Sequence, residues 1–261
     1  MSEPRAITSA RNPAVQRFRD AAAGALDGVL LAEGARLVGE ALDAGLDVVA
    51  AAVSARCEPA LRERLQHVAG EVLECSPDVM QRLSALDTAP GVAVLLRRPV
   101  VAEADLLARA TPPLVVVAAG VRDPGNLGAL LRTAEAAGAS GVVTMAGGAD
   151  PFRDKAVRGS MGSVFRLPVQ HGLDAKAVVA FARRHGLALV VADGGGERAH
   201  SDVDFRGPVA LVVGAEAAGV PDELLRAATV RARIPLYAPV ESLNVAVAAG
   251  VLLFEAWRQR R

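Results

Sequence analysis

The sequence predicts an α/β protein in two parts: a smaller N-terminal α/β domain and a C-terminal domain built on a mostly parallel sheet with helices on both faces. Three observations carry this expectation. Short continuous runs of Val, Leu and Ala alternate with amphipathic segments along almost the whole chain, the pattern of parallel strands buried on both faces. A stretch rich in proline and charge, Arg97-Arg98-Pro99 through Thr111-Pro112-Pro113, interrupts the alternation near residue 100. The length, 261 residues, exceeds that of a usual single domain. The expected organisation is therefore residues 1–98, a linker over 99–113, and residues 114–261.

Taken in order, residues 1–25 form a basic arm and helix carrying Arg5, Arg11, Arg17 and Arg19, with Asn12-Pro13 as the helix start. A strand follows at Val29-Leu-Leu. The spacing from Glu33 through Leu42 predicts an amphipathic helix that ends near Gly45. Val48 to Val53, Glu71 to Leu73 and Gly91 to Leu96 are strands, and Pro59 to Val68 and Pro77 to Leu86 are helices. In the second half the strands are 114–119, 141–145, 187–192, 209–213 and 230–234. Helices are expected near 126–138, 154–160, 174–185, 221–228 and 242–259.

Composition removes several classes of protein. At 52% apolar content the chain has material for a sizeable core, yet it has no apolar run near the roughly 20 residues that span a bilayer. The N-terminal stretch has no apolar h-region, so a signal peptide is not expected. Cys57 and Cys75 make no metal pattern and no disulfide framework, which suits a reducing cytoplasm. His67, His171, His185 and His200 are scattered, so neither metal chemistry nor a Ser–His nucleophile is expected. Net charge is zero, and a nucleic-acid partner must therefore be argued from local patches.

Four places carry candidate chemistry. Asp123-Pro-Gly-Asn-Leu-Gly follows a strand and opens a helix, where open α/β sheets bind ligands. Asn126 would cap that helix and Arg132 would lie about two turns in. Gly125 and Gly128 miss the dinucleotide spacing, but Asp150 could stand for the ribose-binding acid, which keeps a nicotinamide enzyme as a rival. Arg153, Lys155, Arg158 and Arg166, with the serines and glycines among them, form a patch suited to a nucleic-acid backbone or a merely solvated face. Gly214 turns the chain at a strand end and Glu216 adds a carboxylate there. Finally, a seven-residue loop from Pro235 leads to Ser242, which opens a long helix that is apolar on almost every side. A helix of that kind is buried in a core or against a second subunit, so Ser242 and Asn244 would be polar groups entering a packed place, or simple caps.

Together these segments resemble the SpoU (TrmH-type) RNA ribose 2′-O-methyltransferases of the SPOUT superfamily. Asp123-Pro-Gly-Asn-Leu-Gly with Leu131-Arg-Thr-Ala is similar to the family's first motif, Val213-Gly-Ala-Glu-Ala-Ala-Gly-Val to its second, and Ile234-Pro-Leu with Glu241-Ser-Leu-Asn-Val-Ala-Val-Ala to its third. Leu31-Ala-Glu-Gly-Ala-Arg-Leu-Val and Leu83 to Val92 resemble the ribosomal-protein-like RNA-binding domain that many members carry. The resemblance implies a C-terminal domain tied in a deep trefoil knot, a rare exception to unknotted topology. It implies S-adenosylmethionine as cofactor, held at Gly214, Ile234 and Leu243 with Ala192, Leu236 and Gly219 lining the site. It places Asn126, Arg132, Glu216, Ser242 and Asn244 on the catalytic positions, and Ala217 where the family has glycine. It implies a homodimer with no membrane or metal partner. RNA would be met by Arg11, Arg17, Arg153, Lys155 and Arg158. The appended domain points to ribosomal RNA of the 23S type. A transfer-RNA 2′-O-methyltransferase, a non-catalytic RNA-binding relative and an NAD-dependent oxidoreductase are the alternatives.

Overall fold

A computed structural model of the chain describes residues 5–9, 11–215 and 219–261. The elements run β1 (Arg5–Ile7), α1 (Pro13–Ala23), β2 (Val29–Glu33), α2 (Ala35–Asp43), β3 (Val48–Val53), α3 (Pro59–Val68), β4 (Val72–Cys75), α4 (Pro77–Leu83) and β5 (Val92–Arg97). Next come α5 (Asp105–Ala108), β6 (Leu114–Ala119), α6 (Pro124–Ala136), β7 (Gly141–Met145), α7 (Asp154–Ser160), α8 (Ser163–Arg166) and β8 (Val169–Leu173). The chain ends with α9 (Ala175–Arg184), β9 (Ala188–Ala192), β10 (Arg198–Ala199), a single 3-10 turn at His200–Asp202, β11 (Val209–Gly214), α10 (Asp222–Ala227), β12 (Val230–Arg233) and α11 (Val245–Gln259).

Two compact units result. One comprises Met1–Val100 together with Phe152–Phe165, and the other Val101–Pro151 with Arg166–Arg261. The segment that carries α7 thus clusters with the N-terminal unit, and the stretch after Val100, including α5, belongs to the C-terminal one.

The first unit holds a five-stranded sheet in the order β1-β4-β3-β5-β2, in which β5 runs antiparallel to β3 and β2. Its helix α1 starts where the sequence places it: Pro13 needs no hydrogen bond in the first turn, and the Asn12 side chain accepts one from Ala14 N–H. Phe18, Leu31, Leu73, Met80, Leu83 and Leu95 form the core. The Phe152 ring lies under the Arg98 guanidinium at 5.3 Å, and Arg153 Nη1 donates to the carbonyl of Ala23. These contacts explain why the segment joins this unit.

The second unit holds seven strands in the order β10-β12-β9-β11-β6-β7-β8, every neighbouring pair parallel. Every residue of β6 and β7 is buried, as a sheet covered on both faces requires. Phe181 of α9 and Leu224 of α10 pack with Val115, Val117, Leu189 and Val212 of the strands. Two strands escape the sequence pattern. β8, at the sheet's edge, reads Val-Gln-His-Gly-Leu with half its face exposed, and β10 is two residues long.

Helix α11 departs from the expectation twice. It begins at Val245, with Asn244 as its cap, so Ser242 lies in the preceding irregular stretch. The expected packed entry is also corrected: Ser242 and Asn244 are both exposed on this chain. Val245, Ala249, Leu252, Leu253 and Ala256 are buried, but Val247, Phe254 and Trp257 stand 53%, 46% and 37% exposed. Gly250 of α11 faces Thr133 of α6, where a Cβ would make an ordinary contact with Thr133 Cγ2 at 3.5 Å.

Candidate active site

Parallel strands β9, β11 and β12 are neighbours in the sheet, so their carboxyl ends deliver three loops to one edge. A cavity of about 450 Å³ opens among those loops. Its wall includes Ala192 at the end of β9, Gly214 at the end of β11 with Gly219 beyond it, and Ile234, Leu236, Ser242 and Leu243 after β12. Every residue that the resemblance implied for the cofactor therefore borders a single space.

The loop after β11 is tight for a specific reason. Ala215 and Gly219 form an antiparallel bridge, with Gly219 N–H donating to the Ala215 carbonyl at 2.8 Å. Gly219 adopts φ +64°, the left-handed conformation that glycine takes without steric cost. A Cβ on Gly214 would lie 2.7 Å from both the Gly219 carbonyl carbon and Val220 Cγ2. The absence of a side chain is what lets Gly219 and Val220 approach Gly214 this closely.

Beside this edge, the start of α6 meets the start of α11. Asp123, not Asn126, caps α6: its carboxylate accepts from Asn126 N–H at 2.8 Å. The side chain of Asn126 is thereby free for another task, and its Oδ1 accepts from Asn244 Nδ2 at 3.1 Å. The Asn244 Oδ1 meanwhile accepts from Ala246 and Val247 N–H at 3.0 and 3.4 Å. One amide thus caps α11 and joins it to α6. Asn244→Ala should cost about 1 kcal/mol in denaturant unfolding, the usual worth of a cap. Asn244→Asp should regain the cap but not the bond to Asn126.

Of the five positions implied for catalysis, Asn126 and Asn244 are hydrogen-bonded and Ser242 borders the cavity. Arg132 projects from α6 as an exposed side chain and is not part of the cavity wall. Glu216 lies outside the described residues, as does Ala217. Three acids also border the cavity: Glu241 of the third motif, and Asp193 and Asp222, which sequence reading did not single out. Asp193 is fixed in place: its Oδ2 accepts from Arg231 Nε and Nη2 at 2.8 and 2.5 Å, and its Oδ1 from Gly195 N–H at 3.0 Å. Burial pushes the Asp193 carboxyl up, but these hydrogen bonds outweigh it and hold the group below its usual value. A carboxylate followed by three glycines reads as an ordinary turn, which is why sequence reading passed over it.

Arg11, Arg17 and Lys155 are exposed, Arg17 also pairing with Glu71 at 3.2 Å, and the half-buried Arg158 pairs with Asp154 within α7. Arg166, expected to flank the patch, instead makes a two-pronged bond to Glu135 at 2.9 and 2.8 Å, and Ser160 and Ser163 are buried. Asp150 and the glycines Gly125 and Gly128 do not border the cavity, so the dinucleotide arrangement is not the one this edge presents. Among the described residues no group of three or more His, Cys, Asp or Glu side chains could hold a metal ion.

Comparison with known proteins meets the same geometry. The SpoU rRNA Methylase family model matches residues 113–254, more than half of the chain and all three cavity loops. The chain belongs to the SpoU rRNA methylase family. A second model, the MRM3-like substrate binding domain, matches residues 16–94. An uncharacterised tRNA/rRNA methyltransferase of Synechocystis is 32% identical over 268 residues, covering 99% of this chain and 96% of that protein. The 23S rRNA (guanosine-2′-O-)-methyltransferase RlmB of Ralstonia nicotianae is 34% identical over 214 residues, 81% of this chain and 80% of its own. Among solved structures, an AdoMet-bound rRNA methyltransferase from Sinorhizobium meliloti superposes with a TM-score of 0.88 at 32% identity, covering 98% of both chains. SpoU membership accounts for the α/β architecture with its parallel C-terminal sheet and appended N-terminal domain, and it removes the nicotinamide rival.

Proposed function

We propose that this SpoU protein transfers a methyl group from S-adenosylmethionine to a ribose 2′-hydroxyl of ribosomal RNA. The observation that carries the reading is the cavity at the β9–β11–β12 edge, bordered by the residues of the second and third motifs and lying beside the Asn126–Asn244 junction. The substrate class is supported by the substrate-binding model over residues 16–94 and by the 23S activity of the Ralstonia relative. The test is incubation of the protein with labelled S-adenosylmethionine and total RNA from cells lacking the gene, followed by mapping of the modified ribose. Label in transfer RNA, or in no RNA, would overturn it.

The residues present fit the cofactor. Val213, Ile234, Leu243 and Val245 give the cavity aliphatic walls, and the strand-end loops offer backbone donors and acceptors. Gly214, Ile234 and Leu243 would hold the adenine, with Ala192, Leu236 and Gly219 around it. When bound, S-adenosylmethionine supplies an electrophilic methyl on a sulfonium. The work of the chain is to align the hydroxyl with that methyl and to assist loss of its proton. Arg132 is the group assigned to the hydroxyl and the adjoining phosphate. Its pKa exceeds about 12, so it polarises and clamps rather than accepting the proton. Asn126 and Asn244 hold the two helix starts together, Ser242 shapes the methyl side of the cavity, and Glu216 is assigned to orient Arg132. The proton leaves to water or to the RNA phosphate.

The same reading includes a trefoil knot through the C-terminal segment, a homodimer and work in the cytoplasm. No helix among the described residues is long and apolar enough to cross a membrane. The exposed Val247, Phe254 and Trp257 of α11, spaced seven and three residues apart on one face, support the dimer. Sedimentation should give twice the chain mass, and Phe254→Glu should shift the protein to the monomer. Arg11, Arg17, Arg153, Lys155 and Arg158 are assigned to the RNA backbone. Each phosphate they neutralise should add about 0.7–0.9 to the slope of log affinity against log salt, so binding to an rRNA fragment should weaken steeply with salt. An affinity indifferent to salt would remove these residues from the interface.

A further inference from the structure

We infer that the cavity is charge-selective, favouring the sulfonium donor over its neutral thioether product, and that Asp193 is the main specificity residue. The inference rests on the methyl-transfer reading above. Three carboxylates, Asp193, Asp222 and Glu241, border the cavity, and no Lys, Arg or His does so among the described residues. S-adenosylmethionine carries a net charge of about +1 at neutral pH, while S-adenosylhomocysteine, once the methyl has gone, carries none. The two molecules share the adenine, the ribose and the amino-acid end. Contacts to those parts therefore cannot tell them apart, whereas a field at the sulfur can.

The three carboxylates border one cavity of about 450 Å³, and the Debye length at 0.1 M salt is about 10 Å. A cation held against those walls feels their field without full screening. Asp193 contributes most, for two reasons. Its side chain is 23% exposed, whereas Asp222 and Glu241 belong to exposed residues, so its field is the least damped by water. It is also pre-oriented: Arg231, outside the cavity wall, and Gly195 N–H fix both oxygens and keep the group ionised. Arg231 offsets part of the charge, but it does not border the cavity and is itself 42% exposed. Loss of the sulfonium charge on transfer would then loosen the product in the same site that held the donor.

The test is calorimetry on the full chain with three nucleosides: S-adenosylmethionine, S-adenosylhomocysteine and sinefungin, in which an ammonium-bearing carbon replaces the methylated sulfur. At about 0.05 M salt the two cations should each bind about tenfold more tightly than the thioether, equivalent to about 1.4 kcal/mol. The margin should shrink at about 0.5 M salt. Asp193→Asn should cut the preference most, to about twofold, with smaller losses in Glu241→Gln and Asp222→Asn. Because the last two side chains are exposed, they test the field even if Asp193→Asn folds poorly. Equal or tighter binding of the thioether, or sinefungin behaving like the thioether, would overturn the inference while leaving the methyl-transfer reading intact. If none of the three nucleosides binds, that underlying reading fails.

Discussion

Arg132→Ala should lower the rate of methyl transfer by about 1,000-fold, the scale lost when one charged or hydrogen-bonding partner of a reacting oxygen is removed. The location of the residue makes the prediction sharp. Arg132 is an exposed side chain of α6 and does not border the cavity, so neither the fold nor donor binding depends on it. Truncating an exposed helical side chain changes stability by within about 0.5 kcal/mol. Single-turnover transfer to an rRNA fragment and calorimetry with S-adenosylmethionine should therefore separate, the first collapsing and the second moving less than about twofold. Arg132→Lys should recover only part of the rate, because the charge returns without the planar fork. Loss of donor binding in parallel with the rate would sink the assignment.

Gly214→Ala should have the opposite signature. The added methyl would meet the carbonyl carbon of Gly219 and Val220 Cγ2 at 2.7 Å, distances that force the backbone to move. Overpacking of this kind costs about 1–3 kcal/mol, and the strain falls on the loop that borders the cavity. Donor affinity should drop by about 100-fold or more, seen by calorimetry, with the rate at saturating donor less affected. Gly219→Ala is the control: nothing stands within 4 Å of a Cβ there, so its cost comes from the left-handed φ of +64° alone and should be about 1–2 kcal/mol. Equal damage from both substitutions would mean that crowding at Gly214 is not what governs the pocket.

The strands that organise the sheet were legible because their burial on both faces writes itself as unbroken Val, Leu and Ala runs. β6 and β7 fall at their expected bounds for that reason. β8 was not legible, since this edge strand is only partly buried and carries no apolar run. Helix starts were read one candidate too late or too early. At α6 both Asp123 and Asn126 are capping residue types, and at α11 both Ser242 and Asn244 are. The choice in each case is made by which carbonyl or carboxylate oxygen meets the free N–H groups, a matter of backbone path rather than residue type. The residues bordering the cavity were reached through motif resemblance. Asp193, whose orientation is set by Arg231 some 38 positions away, had no local signature to find.

The Asn244–Asn126 bond spans 118 positions of the chain, and this bears on the order in which the protein is made. During synthesis the strands of the parallel sheet emerge before residues 234–248, which supply one whole side of the cavity. A nascent chain halted before that segment lacks that wall of the cavity. The cavity is thus completed only at a late moment of biosynthesis.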